Sequence, residues 1–439
     1  MKKINIKKYI SVVLSLCLST SLLLGCNKNQ GTISNTDDTY SGEITIWSWN
    51  EELLTSGIID RFNEKYPNIN INLITIPNDN NAYLTKLTST LRSGVNAPDI
   101  YLSESANVKK LCNMNYYEDL SQEPYNADKL TEKMVPYTVN LGRNDKDNSI
   151  RALTWQATPG GYFYKRSLAK QYLGTDNPDE IQKMMTTMDD FLTMGEKIKA
   201  SSNSQTSLLA SYSELFYVVL ANRSQGWVQN GKLTIDPVML NYIDLAEQIR
   251  SRGLDINAKQ WTPKWTESMT TTDVFGFMLP TWGLSNTLQS NAPDTSGDWA
   301  FVEAPSPYYW GGTWIGIYKN SKNKDLSWLF IKFLTTDTDF LHQYAKDSGD
   351  YVNNTDIQNE ISNSSEGENE FLNRQNVYKS YTNLVGNINA DICTEYDEII
   401  NSKWAGILDS YMNGEIPKDQ IIPNFKQAVK TEYPSIEVE

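Results

Sequence analysis

The sequence predicts an α/β protein with two sizeable domains and a strand that crosses between them. Its 439 residues exceed the length of one typical domain. Strand and helix patterns alternate in the first part of the folded chain, which is typical of a largely parallel sheet. The third observation is the stretch 310–318, where Gly311 and Gly312 interrupt an apolar, aromatic run. Glycines in a strand-like run indicate a bend or a close backbone approach, so we expect this strand to pass a hinge and line a cleft.

The first residues form a processing signal. Four lysines precede an apolar run over residues 9–24, which is short for a transmembrane helix. The run ends at Gly25-Cys26 and resembles the lipobox of bacterial lipoproteins, although Leu24 stands where that family most often has Ala or Ser. The resemblance implies a signal peptide over 1–25 and a lipidated Cys26. The polar segment 26–42 would then be a flexible tether.

Charge and cysteine content exclude some classes of function. The net charge is −14, and removal of the leader lysines makes it more negative, so neither nucleic acid nor an anionic lipid surface is an expected partner. Beyond the leader and Cys26 only Cys112 and Cys393 remain, and they do not make a disulfide framework. Whether these two cysteines pair is left open by the sequence.

The folded body begins with a strand–helix–strand–helix–strand pattern. Alternation of apolar and polar positions predicts the strands, and apolar residues at helical spacing predict the helices. Ligands bind beyond the carboxyl ends of the strands in such sheets, which places side chains after the first and third strands at a candidate site. The predicted segments are strands over 43–49, 68–76 and 100–102, and helices over 56–66 and from Leu84 to Leu91.

Beyond this region we predict helices and further crossings between the lobes. Residues 152–164 are extended with a break and predict the first crossing, and the short strand over 273–279 leads into the second. Thr187 with Asp190 predicts a capping box, and Asp236-Pro237 predicts another helix start. The chain after Asp325 is mostly helical by spacing.

Several short patches, in order along the chain, resemble the extracellular solute-binding proteins of carbohydrate-importing ABC transporters. The chain departs from the family's pattern at two positions: it lacks the Gly before Pro280, and it has Asp350 where the family usually has Pro. The patches are 44–47 with 62–67, 97–100, 161–168, 278–282, 311–323 with its Ser321-Lys322-Asn323, and 348–349.

This resemblance implies two α/β lobes of the periplasmic-binding-protein-like fold, type II, joined by hinge strands with the ligand in the cleft. We expect an N-terminal lobe of residues 43–153 plus 277–312 and a C-terminal lobe of 154–276 plus 313–439. The family implies a membrane permease and an ATPase as partners, and neither catalysis nor a cofactor. We expect a monomer, lipid-anchored on the outer face of the cell membrane. High Asn, Lys and Ile usage is typical of a low-GC Gram-positive bacterium.

A sugar site needs aromatic platforms for C–H faces and planar hydrogen-bonding groups for hydroxyls. Trp282, Trp310 and Trp314 are the main candidate platforms, whereas Trp261 and Trp265 are interpreted as packing residues. Backbone N–H groups at the two glycines would be able to reach the ligand. The full set of candidate ligand-binding residues is Trp49, Asn50, Glu51, Glu104, Trp155, Gln156, Tyr162, Trp282, Trp310, Gly311, Gly312, Trp314 and Tyr351.

Two other classes of function stay open at this point. A secreted carbohydrate-active enzyme would need two carboxylates flanking one bond, for which Glu51 and Glu104 are the candidates. A surface receptor would use the same fold without transport. The single histidine, His342, favours neither a zinc site nor a Ser-His-Asp set, so we expect no metal.

Overall fold

The computed structural model describes residues 37 and 39–438. The predicted signal peptide, Cys26 and most of the predicted tether lie outside this range. Seven strands form the two main sheets: β1 Gly42–Ser48, β2 Ile69–Thr75, β3 Ile100–Glu104, β4 Pro159–Lys165, β5 Gly276–Pro280, β6 Trp299–Tyr309 and β7 Thr313–Ile317.

Within residues 39–438, twelve helices of eight or more residues cover these sheets. They are α1 Ile58–Lys65, α2 Ala82–Ser93, α3 Ser105–Asn113, α4 Arg166–Leu173, α5 Met188–Ser201, α6 Pro237–Ser251, α7 Lys324–Thr336, α8 Thr338–Ser348, α9 Thr355–Ser362, α10 Val377–Val385, α11 Asp397–Met412 and α12 Ile421–Glu432. Shorter helical segments include Glu52–Thr55, Pro136–Leu141, Pro178–Gln182, Phe216–Leu220, Pro263–Glu267 and Thr281–Gly283. None of the helices described is both long and apolar enough to cross a bilayer.

The first sheet has the strand order β2-β1-β3-β7. β1 pairs in parallel with β2 and β3, as the sequence predicts, and β7 runs antiparallel to β3. The apolar face of α1 packs against this sheet and against α7, where the rings of Phe62 and Phe330 lie 4.9 Å apart. The predicted capping box is present at Thr187, and Asp236 caps α6 by accepting from the N–H of Val238.

The second sheet is antiparallel, with the order β5-β4-β6. Successive side chains of a strand point to opposite faces, and β4 is buried on both. Tyr162 and Tyr164 pack into one apolar core together with helices α5, α6, α11 and α12. Phe163 packs into the other core, which continues into the first lobe.

The strand pairing corrects the expected lobe boundaries. β6 and all of β5 except Gly276 lie within residues 277–312 and belong to the second sheet, while β7, which begins at Thr313, belongs to the first. These strands therefore lie in the lobe opposite to the expected one, whereas α11 and α12, within 313–439, pack into the core of the second lobe. The sequence marks where the chain crosses the hinge, but it does not show which lobe the chain is leaving.

The two cysteines are free thiols. Cys112 is buried and its Sγ donates to the carbonyl of Gly142 at 3.4 Å, while the sulfur of Cys393 lies 3.3 Å from the Tyr309 hydroxyl. Burial raises the pKa of the Cys112 thiol to about 12, so this thiol stays protonated at neutral pH.

Candidate functional site

Two adjoining cavities lie between the lobes. The first cavity, of about 930 Å³, is formed by the segments after β1, after β5, around Gly311 and at the end of α8. The second cavity, of about 550 Å³, is formed by the start of α3, the residues around Phe216 and the start of α11. Glu104, Trp310 and Gly311 contribute to both, so these three residues form the wall between the two cavities.

The carboxyl ends of β1 and β3 bring polar side chains to the first cavity. Asn50 follows β1, and its Oδ1 accepts from the Ser48 hydroxyl and the N–H of Glu52, each at 3.2 Å. Glu104 ends β3 and caps α3 by accepting from the N–H of Ala106 at 3.2 Å and from the Ser105 hydroxyl at 2.8 Å. The parallel pairing of these strands therefore places the two loops at one edge of the sheet, as expected.

The Gly-Gly pair forms the bend between β6 and β7. Gly311 and Gly312 have φ of +75° and +106°, a region in which a side chain is strained. A Cβ on Gly311 would lie 2.7 Å from Nε1 of Trp282, and the Gly311 carbonyl accepts from the Thr158 hydroxyl at 2.9 Å. Glycine is thus required for the backbone to approach the indole so closely while both lie on the cavity wall.

Trp261, Trp282 and Trp310 form an aromatic wall, and Tyr217 packs against it. The Trp310 ring stacks on Tyr217 at 4.7 Å and meets Trp282 edge-on at 5.3 Å. Nε1 of Trp282 donates to the Trp310 carbonyl at 2.9 Å, which fixes the orientation of that indole. Trp261 stacks on Trp282 at 6.1 Å and meets Trp310 edge-on at 5.8 Å.

Trp261 corrects the interpretation of this residue as a packing side chain. It is 58% exposed, lines the second cavity and has φ of +69°, which is rare for a bulky residue. It precedes the short helix Pro263–Glu267, so its spacing from Trp265 is not helical. Trp265 does pack as predicted: it is fully buried, and its Nε1 donates to Glu214. The left-handed backbone at Trp261 distinguishes it from Trp265, and sequence spacing does not reveal this conformation.

Nine of the predicted site residues line the first cavity, and their contact with a ligand stays a prediction. They are Trp49, Asn50, Glu51, Glu104, Gln156, Trp282, Trp310, Gly311 and Gly312.

The other four predicted site residues, Trp155, Tyr162, Trp314 and Tyr351, are buried in the apolar cores and line neither cavity. Nε1 of Trp314 donates to the Thr138 carbonyl, and the Tyr351 hydroxyl donates to Thr382. The structure does not bring these four side chains to either cavity, because the strands and extended segments that carry them are covered on both faces.

Two carboxylates that the prediction missed face the same cavity. Glu52 accepts from Nε2 of Gln156 at 3.2 Å and from the Thr313 hydroxyl at 3.3 Å. Burial, followed by the charge of Asp350, raises the pKa of Glu52 to about 7. Burial raises the pKa of Asp350 to about 6. One signal in the sequence points to this carboxylate: Asp350 stands where the resembling family usually has Pro.

The residues that line the second cavity include both hydrogen-bond donors and acceptors. Arg223 forms a buried ion pair with Asp397 at 2.7 Å. Its Nη1 makes no hydrogen bond to any part of the chain that is described, and neither does Nε2 of Gln260 or Oε2 of Glu398. Buried polar atoms are normally paired, so two donors and one acceptor are left unsatisfied among the residues that line this cavity.

The neutral isostere at Glu52 tests the electrostatics of the first cavity. Because the pKa of Glu52 rises from 4.5 to about 7 on folding, the folded state binds its proton more tightly than the unfolded state. The free energy of unfolding therefore falls as pH increases through this window. We expect Glu52→Gln to be more stable than the parent above about pH 7, by up to about 3 kcal/mol, and equally stable below about pH 4. Melting temperatures measured across pH check this, and a constant difference at every pH would contradict it.

In the part of the chain that the structure describes, no group of three or more His, Cys, Asp or Glu side chains is placed to hold a metal ion. Aromatic side chains, carboxylates and amides line the two cavities.

Comparison with known proteins decides the family. The family model described as bacterial extracellular solute-binding protein matches residues 57–369. The chain belongs to the bacterial extracellular solute-binding proteins.

Relatives and solved structures match most of the length of this solute-binding protein. It is 23% identical to the arabinooligosaccharide-binding protein of Bacillus subtilis (strain 168) over 352 residues, which span 74% of this chain and 76% of the relative. A crystal structure of an extracellular solute-binding protein of family 1 matches with a TM-score of 0.75 and 19% identity, over 90% of this chain and 100% of that one. The galacto-N-biose-/lacto-N-biose I-binding protein of the ABC transporter from Bifidobacterium longum, in complex with lacto-N-biose, matches with a TM-score of 0.69 and 17% identity, over 92% of this chain and 100% of that one. These likenesses confirm the predicted two-lobed fold.

Proposed function

We propose that this solute-binding protein captures an oligosaccharide between its lobes for ABC-type import. The observation that carries the proposal is the aromatic wall of Trp282, Trp310 and Trp261 beside unpaired hydrogen-bonding groups in the cleft. Aromatic rings cover the apolar faces of a sugar, and planar amides and carboxylates bind its hydroxyls. The names of the B. subtilis and Bifidobacterium longum proteins support the same ligand class.

The arrangement of the cavities favours a ligand longer than one sugar unit. Both cavities open onto the ring of Trp310, so a chain of sugars that crosses this ring would contact both of them. Residues of the first lobe (Glu52, Glu104) and of the second (Tyr217, Trp282) would then hold one ligand. Contacts made only when the lobes close would stabilise the closed form by a hinge movement.

The sequence features outside the described range complete the proposed role. A lipid on Cys26 would hold the protein, as a monomer, on the outer face of the cell membrane of a Gram-positive bacterium. The polar tether would let the folded body reach permease subunits in the same membrane. Globomycin-sensitive processing and labelling with a palmitate analogue would test the anchor, and a Cys26→Ala protein that stays in the membrane fraction would contradict it.

Glu52 and Asp350 are the observation that favours the enzyme alternative. A carboxyl group with a raised pKa beside a second carboxylate is the pattern of a glycosidase. Family members bind solutes, and binding without turnover is the function we propose. Incubation of the bound sugar with the protein should return it intact. Hydrolysis that Glu52→Gln abolishes would favour the enzyme.

A calorimetric screen of oligosaccharides tests the function directly. The panel contains neutral arabino-, galacto-, gluco- and xylo-oligosaccharides with their monosaccharides. We expect at least one oligosaccharide to bind with a larger heat and a tighter dissociation constant than its monosaccharide. No binding by any sugar, together with binding of a peptide, would contradict the proposal.

A further inference from the structure

The two cavities differ in charge. The residues that line the first cavity include no Lys, Arg or His, and they include five acids: Glu51, Glu52, Glu104, Asp347 and Asp350. The residues that line the second cavity include both signs, so positive and negative charges are nearly balanced there: three cations, Lys109, Arg223 and Lys259, and four acids, Glu104, Asp397, Glu398 and Asp409. A strongly acidic enclosure repels anionic ligands and attracts cationic ones.

Most of the acids in the first cavity lack a cation. Asp347 pairs with Arg61 at 2.7 Å, but no lysine or arginine within the described residues forms an ion pair with Glu52, Glu104 or Asp350. Neutral donors bind them instead, and the Tyr344 hydroxyl donates to Asp350 at 3.4 Å. Clustered carboxylates without a positive partner favour their neutral forms, and the raised pKa values of Glu52 and Asp350 agree with this.

A second, independent observation marks this cavity as a ligand site. Thr281 is 5% exposed and lies on the cavity wall, and its Oγ1 makes no hydrogen bond with the described chain. Trp49, Trp282 and Trp310 lie on the same wall, and aromatic faces attract organic cations. A metal ion would need a set of ligating side chains, which is not found among the described residues.

We infer that the first cavity selects a sugar unit that carries a protonated amine, held by Glu52 and Asp350 among the aromatic side chains. This inference rests on the proposed function, since it names the class of sugar that the cleft prefers. The ammonium group would supply the missing positive charge, and charge-assisted hydrogen bonds to carboxylates are stronger than those made by a hydroxyl. The balanced second cavity would take the neutral remainder of the chain.

Matched sugars test the inference. The probes are glucosamine disaccharide and trisaccharide, their N-acetylated forms and the corresponding glucose oligomers, which differ only at the amine position. We expect the amine forms to bind at least tenfold more tightly at neutral pH than both neutral counterparts. In Glu52→Gln this preference should fall below about threefold. In Glu415→Gln, which removes an exposed carboxylate outside both cavities, it should persist.

The outcomes separate the inference from the function. If neutral oligosaccharides bind as tightly as the amine forms or more tightly, or if Glu52→Gln keeps the preference, the inference fails and the sugar-binding function stands. If spermidine binds and no sugar does, both fail. Glu52→Gln is expected to be at least as stable as the parent at neutral pH, so a loss of preference cannot be attributed to unfolding.

Discussion

Replacing Trp310 with alanine is expected to weaken oligosaccharide binding by about 30- to 150-fold, or about 2–3 kcal/mol. Among the described residues, Trp310 is the one aromatic side chain that lines both cavities, and it packs between Tyr217 and Trp282. Its loss removes the shared platform and loosens its neighbours. Calorimetric titration of the variant with the sugar found in the screen measures the effect.

Trp310→Phe is the matched control. It keeps an aromatic face and the backbone carbonyl that Trp282 binds, so we expect it to recover most of the affinity. Monosaccharide binding should decline less than oligosaccharide binding in the alanine variant. Unchanged oligosaccharide affinity in Trp310→Ala, with only a lower melting temperature, would show that this ring is part of the core and not of the site.

Arg223→Met is expected to lower the free energy of unfolding by about 3–5 kcal/mol. Arg223 and Asp397 have 1% and 9% of their side chains exposed and lie 2.7 Å apart. The guanidinium also lies over the Trp227 ring at 5.1 Å. Removal of the cation leaves a carboxylate buried with only Thr394 as donor. Denaturant unfolding monitored by fluorescence measures the loss.

A double variant distinguishes the loss of the Arg223–Asp397 ion pair from the loss of side-chain packing. Arg223→Met with Asp397→Leu removes both charges, and apolar groups of similar size often restore the stability of a buried pair. We therefore expect the double variant to recover much of the loss. Additive losses of the two single changes would contradict a coupled pair.

Local patterns predicted the first half of the fold well. The alternation in β1 and the apolar stripe of α1 depend on residues close in sequence, and both elements formed where expected. The strands on either side of Gly312 were assigned to the opposite lobes, because sheet membership depends on which distant strand β7 joins. No local signal carries that information.

The candidate site was predicted where polar residues follow strand ends, as with Asn50 and Glu104. Trp314 belongs to the same aromatic run as Trp310, but the structure buries it in the first lobe, away from both cavities. Burial of an indole depends on the helices that cover its strand, so composition alone did not separate the two. Trp261 was missed because sequence spacing suggested a helix there, whereas its backbone is left-handed and its side chain is exposed.

A crystal structure of the complex with the tightest sugar from the screen would show whether the ligand lies across both cavities. We expect density for a sugar chain that passes Trp310 and contacts Glu52 or Asp350 on one side and the Arg223 cavity on the other. The lobes would be closed around it. A sugar bound on the surface of a single lobe, with both cavities free of ligand, would contradict the account.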